Sequence, residues 1–170
     1  MQNNPTPALQ FPSIGRRLIC MVYESFLLTA VMMLAVAAFL ILSGNRHSPL
    51  LDHVRTLWVF LAGGAYFVHQ WRDSGHTLAM KTWRIKLVLP GAAKLPFKVA
   101  FVRYVLIVSY FLPALLAYSL LDIHSGRVMS ALLLASLALM LLAPLFTKDR
   151  QFLHDRLLGT YLIQLPKRTK

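Results

Sequence analysis

Four long apolar runs organise the chain: Leu18–Leu42, Val54–Trp71, Tyr104–Leu121 and Val128–Phe146. Each is roughly 18 to 25 residues, enough to cross a hydrocarbon core about 30 Å thick at about 1.5 Å per residue. The pattern predicts an all-α membrane protein, a four-transmembrane-helix bundle in one domain over residues 1–170. Its helices are expected near 18–42, 54–71, 100–121 and 128–147, with a tail over 148–170. Ser13 is the expected N-cap of the first helix, which should end at Ser43-Gly44. The second helix carries Ala62-Gly63-Gly64-Ala65, small residues that let backbones approach closely. The contact is expected within the chain; a dimer contact, and so a homo-oligomer, is the alternative. Pro113 and Pro144 lie inside the third and fourth runs and should kink them.

The segment between the second and third runs has its own pattern. Arg84-Ile85-Lys86-Leu87-Val88-Leu89 alternates basic and apolar positions, the period of a strand with one greasy face. Pro90-Gly91 signals a turn, and Lys94-Leu95-Pro96-Phe97-Lys98 resumes the mixed pattern. A short hairpin or extended ribbon is expected here, at the headgroup level. Arg84, Lys86, Lys94 and Lys98 would then face anionic lipid phosphates, each contributing about 1 kcal/mol. Purely topogenic charge is the competing reading. Just upstream, Gly75 and Thr77 suit a turn and a short helix start. The tail after His154-Asp155 is too short for a further crossing; a short interfacial helix followed by a strand is one arrangement it allows, and the sequence leaves open whether Leu157–Leu165 is strand or helix.

Composition agrees with lipid as the solvent. Of 170 residues, 57% are hydrophobic and 14% charged, against about 25% charged in soluble domains. Lys and Arg number 18 and Asp and Glu six, a formal net charge of +12. The excess lies outside the apolar runs rather than on a folded polar face, which argues against nucleic acid as a partner. Fifteen of the 18 basic residues fall in the N-terminal segment, the 72–103 loop and the tail; only Arg46, Arg55 and Arg127 lie in the other two loops. The positive-inside rule then places both termini and the long loop in the cytoplasm, with an even number of crossings. Trp58, Trp71 and Tyr104 sit near run ends, as interface anchors do. Met1–Ser13 lacks a charged n-region and the first run is too long for a signal h-region, so that run is expected to stay as a membrane helix.

Glu24 is the residue most in need of a reason. It lies six positions into the first run, where an unpaired carboxylate costs several kcal/mol. Arg17, two turns earlier on the same face, is one candidate partner; Arg103, at the head of the third helix, is the better interhelical one. An ion pair locking helices together, a proton- or cation-binding carboxylate and lipid-facing snorkelling remain open. His154-Asp155 is a weak catalytic signal, with no nucleophile elbow and no metal-ligand pair beside it. Cys20 alone can form neither an intrachain disulfide nor a multi-cysteine site. The expectation is therefore no enzyme, no cofactor and no metal site.

Arg16-Arg17-Leu18 with an acid seven residues after Arg17, Gly75-His76-Thr77-Leu78-Ala79-Met80-Lys81, Arg103, and His154-Asp155 followed by Gly159-Thr160 together resemble the RDD family of bacterial membrane proteins. The resemblance runs from about Ile14 to Leu165. It implies that the family's arginine is Arg17, its first acid Glu24 and its second acid Asp155. The chain departs in carrying Glu where the family usually has Asp at position 24, and Ala79 in place of a common glycine. It also implies a multi-pass protein of the bacterial inner membrane and suggests transport, including sodium–proton exchange. The expected function is a small transport or cation/proton exchange protein. The alternative is a membrane scaffold or accessory subunit whose buried charges are structural.

Overall fold

A computed structural model describes residues 10–46, 48–119, 125–142 and 151–166. It is mostly helical, with seven helices among the described residues. They are α1 (Ile14–Leu42), α2 (Pro49–Asp73), α3 (Leu78–Thr82), α4 (Phe97–Ser109), α5 (Leu112–Ser119), α6 (Gly126–Leu142) and α7 (Leu153–Leu158). Two strands, β1 (Ile85–Val88) and β2 (Tyr161–Gln164), form a two-stranded sheet. The chain divides into two compact units. One comprises Met1–Val88 with Leu162–Lys170, the other Leu89–Tyr161.

In the first unit, α1 begins where Ser13 accepts a hydrogen bond from the Arg16 amide. It ends at Ser43, followed by Gly44 at φ +61°. These are the limits expected from the sequence, and 29 residues give a rod about 43 Å long. Ser48 caps α2 through the Leu51 amide, and Pro49 occupies the first turn, where its missing N–H costs nothing. The helix thus starts before the apolar run proper. α1 and α2 form an antiparallel hairpin: the Trp58 indole donates to the Ala35 carbonyl at 2.9 Å, and Tyr66 reaches Glu24 at 2.6 Å. Gly63 and Gly64 are buried on α2. The outer flank of α1 is apolar, with Phe26 71% and Ile41 80% exposed. Such a surface is ordinary against lipid and unfavourable against water. Among the described helices only α1 combines the length and apolarity of a span; α6 is apolar but has 17 residues.

Beyond α2 the chain turns at Gly75, φ +76°, and Thr77 caps α3 through the Met80 amide. β1 follows with Ile85 and Leu87 buried and Lys86 and Val88 half-buried, in the alternation the sequence predicts. Its partner differs from the expected one. The Lys94–Lys98 stretch does not return as a second strand; Phe97 opens α4, and β1 pairs with β2 of the tail. The Leu165 amide donates to the Arg84 carbonyl at 2.8 Å, and the Gln164 side-chain amide donates to the same carbonyl at 2.9 Å. The reason is that β1 needs a neighbour with unused backbone groups. Pro96 has no N–H to offer, whereas Tyr161–Gln164 contains no proline.

In the second unit, the Ala92 amide bonds to the Leu89 carbonyl across Pro90-Gly91, with Gly91 at φ +78°. Pro second and a positive-φ Gly third are the requirements of a type II turn. The third apolar run is not one helix. α4 stops at Ser109, Tyr110 and Phe111 form a turn, and α5 starts at Leu112. Pro113 explains the break, because it cannot donate back to Ser109 and its ring crowds that turn. α5 packs on α6 and α4 on α7. Pro144 and the charges at Lys148–Arg150 lie outside the described residues. The tail runs as α7 and then β2, closed by Gly159 at φ +64°.

Candidate functional site

The sequence-expected site residues fall into two clusters, one in each unit. In the first, Arg17, Cys20 and Glu24 recur at helical spacing on one face of α1. Arg17 and Cys20 are buried and Glu24 is half-buried. Arg17 Nε donates to the Pro12 carbonyl at 3.1 Å, holding the lead-in segment to the start of α1. The two oxygens of Glu24 go to different elements. Tyr66 of α2 donates its hydroxyl to Oε1 at 2.6 Å, and the buried Thr77 donates its hydroxyl to Oε2. Thr77 Oγ1 meanwhile accepts from the Met80 amide at 3.2 Å, so one hydroxyl both caps α3 and holds Glu24.

Two supports set this geometry. Gln70, one turn beyond Tyr66, accepts from the Leu78 amide at 3.0 Å and so ties α2 to the start of α3. Gly75 lies against β1: the Leu87 amide donates to its carbonyl at 2.7 Å, and a Cβ at Gly75 would stand 2.8 Å from the Leu87 carbonyl oxygen. Only glycine fits both the positive φ and this close approach. The Gly75-x-Thr77 spacing therefore sets a hydroxyl on the end of Glu24.

The second cluster joins α4 to α7. Arg103 Nε lies 2.8 Å from Asp155 Oδ1, and both side chains are buried. Thr160 donates its hydroxyl to the same oxygen at 2.9 Å, and its amide donates to the Asp155 carbonyl at 2.9 Å. Gly159 makes this possible: its left-handed backbone ends α7 and folds Thr160 back on Asp155. His154 Nε2 is 3.7 Å from Asp155 Oδ2. Its ring stacks on Phe152 at 5.4 Å and meets Tyr110 edge-on at 6.1 Å. Burial drives the imidazole pKa down to about 4, past the opposing pull of Asp155, with Arg103 adding to the fall. His154 is thus neutral near pH 7. Burial, the largest influence, pushes the Asp155 carboxyl up, but the Arg103 charge, the His154 ring and the hydrogen bonds from Arg103 and Thr160 together outweigh it and hold the carboxyl below its usual range.

All five motif candidates thus lie in these clusters: Arg17 and Glu24 in the first, Arg103, His154 and Asp155 in the second. The partners differ from those expected. Arg103 holds Asp155, and Glu24 is held by hydroxyls. Tyr66 was not singled out by the sequence, and Thr77 and Thr160 appeared only as a helix start and a motif position. A mid-helix Tyr and the two Gly-associated Thr were the available signals. Of the loop cations, Lys94 and Lys98 are exposed, whereas Arg84 and Lys86 are half-buried. The sequence model of the RDD family matches residues 11–159. No curated protein and no solved structure matches the chain.

Proposed function

The chain belongs to the RDD family, and from that premise we propose that it is a multi-pass membrane protein that binds a proton or small monovalent cation at Glu24 and exchanges one for the other. A single observation carries this reading: both Glu24 oxygens are engaged by hydroxyls from α2 and α3. Hydroxyl donors orient a carboxylate without cancelling its charge, so the group keeps its affinity for a cation. Glu24, Tyr66 and Thr77 are all oxygen ligands, the type hard cations take. Neutralising the site by a proton or an ion lowers the cost of a carboxylate in an apolar helix. The fold proposed for this role has four crossings, with both termini and the 72–103 loop in the cytoplasm of a bacterial cell and the protein in its inner membrane. Homo-oligomerisation would supply the enclosed pathway that four helices lack.

A second reading is favoured by the other cluster. Arg103 and Thr160 both engage Asp155 Oδ1 in a buried set that docks α7 on α4. If Glu24 serves likewise, as a strut linking α1, α2 and α3, the protein is a scaffold or accessory subunit. Purified protein in proteoliposomes separates the two. The expected result is sodium-driven proton movement that Glu24→Gln abolishes without lowering the thermal midpoint by more than a few degrees. No flux from the wild type, with Glu24→Gln strongly destabilised, favours the scaffold. Flux unchanged in Glu24→Gln removes Glu24 from the mechanism.

A further inference from the structure

We propose that the head of α4 is a binding surface for the headgroups of anionic phospholipid. On the exposed side of this stretch stand Lys94, Phe97, Lys98, Phe101, Val102 and Val105. Phe97 is 54% exposed and stacks on Phe101 with ring centroids 5.9 Å apart. Along the chain the ammonium groups and aromatic rings interleave at Lys94, Phe97, Lys98 and Phe101, and the valines at 102 and 105 follow. From Phe97 to Val105 the helix rises about 12 Å. A mixed cationic and aromatic stretch followed by an aliphatic one matches the passage from the headgroup interface into hydrocarbon. Two exposed cations beside an exposed aromatic pair complement a negatively charged, acyl-bearing ligand on both counts. Lysine stems can lie along the rings while their charges reach the phosphates.

A second element of the same unit carries the same chemistry. α7 buries His154 and Asp155 and leaves Leu153 and Leu157, one turn apart, 49% and 66% exposed, with Arg156 exposed between them. A short helix with leucines and an arginine turned outward is suited to lying in an interface. The Arg103–Asp155 pair fixes this helix to α4. The strand cations are placed differently. Lys86 lies against the Gly75 backbone, its Cε 3.0 Å from where a Cβ there would stand, and Arg84, like Lys86, is half-buried, whereas Lys94 and Lys98 are exposed. The surface therefore selects Lys94 and Lys98 from the four loop cations.

The test uses the full chain, purified in mild detergent, stripped of lipid and titrated with phosphatidylglycerol or phosphatidylcholine. Bound lipid is counted by native mass spectrometry. The expected result is preferential binding of phosphatidylglycerol. Lys94→Gln with Lys98→Gln should weaken it by about 25-fold, fivefold per lysine, leaving phosphatidylcholine binding and the thermal midpoint unchanged. Lys94→Arg with Lys98→Arg should retain the preference, as should Arg84→Gln with Lys86→Gln. Equal binding of the two lipids by the wild type would overturn the proposal. So would a preference that survives loss of both lysines, or one lost equally with Arg84 and Lys86.

Discussion

Removing the carboxylate of Asp155 should cost far more than removing Asp155 and Arg103 together. Asp155 is fully buried and Arg103 is 4% exposed, and they meet at 2.8 Å. Asp155→Ala leaves a guanidinium in an apolar interior without its anion, which costs about 3–5 kcal/mol. It also takes the acceptor from the Thr160 hydroxyl, about 1 kcal/mol more. For a chain of this length each kcal/mol moves the thermal midpoint by about 2–4 °C. The single variant should therefore unfold roughly 8–24 °C below wild type in detergent. Arg103→Met with Asp155→Leu leaves neither charge buried and fills similar volume. That pair should cost no more than about 2 kcal/mol, because apolar replacement of a buried ion pair is often near neutral. The assay is thermal unfolding of Asp155→Ala, and of Arg103→Met, Asp155→Leu and their double, the last three read as a cycle. Single costs that add to the double within about 0.5 kcal/mol would refute the pairing.

Other outcomes follow from the same geometry. His154 has a folded pKa of about 4 against an ordinary value of 6.5. The unfolded chain therefore binds the extra proton between those values, and stability should fall as pH drops from about 6.5 to 4, by about 3 kcal/mol in all. His154→Gln should flatten that part of the profile while leaving a further loss at lower pH, where Asp155 protonates. Gly75→Ala should destabilise the first unit by at least about 1–3 kcal/mol, since the new Cβ meets the Leu87 carbonyl at 2.8 Å and φ stays positive; limited proteolysis near β1 would show it. Tyr66→Phe removes a hydrogen bond to a charged group and should cost about 1.5–3 kcal/mol, measured by thermal unfolding. A cytoplasm-active reporter fused after Lys170 should give signal, and a periplasm-active one should not.

Backbone punctuation could be read directly from the chain. Ser13 as a cap, Gly44 as a stop, the Pro90-Gly91 turn and the Gly75–Thr77 helix start all depend on a few neighbouring residues. Caps, proline rings and positive-φ glycines act over one turn, so local sequence suffices. The alternation of Arg84–Leu89 likewise marked a strand and its buried face. Pairing was another matter. β1 found its neighbour more than seventy residues away, past the nearer candidate, because a strand's period says nothing about which strand completes its hydrogen bonds. Glu24 could be flagged by its cost in an apolar helix, yet its partners Tyr66 and Thr77 lie 42 and 53 positions along the chain. Arg103 and Asp155 lie 52 positions apart, and the sequence marked one as a candidate partner for Glu24 and the other as part of a His-Asp motif. Only the packing of α7 on α4 matched one to the other. A buried charge announces an energy that must be offset; tertiary placement alone decides which group offsets it.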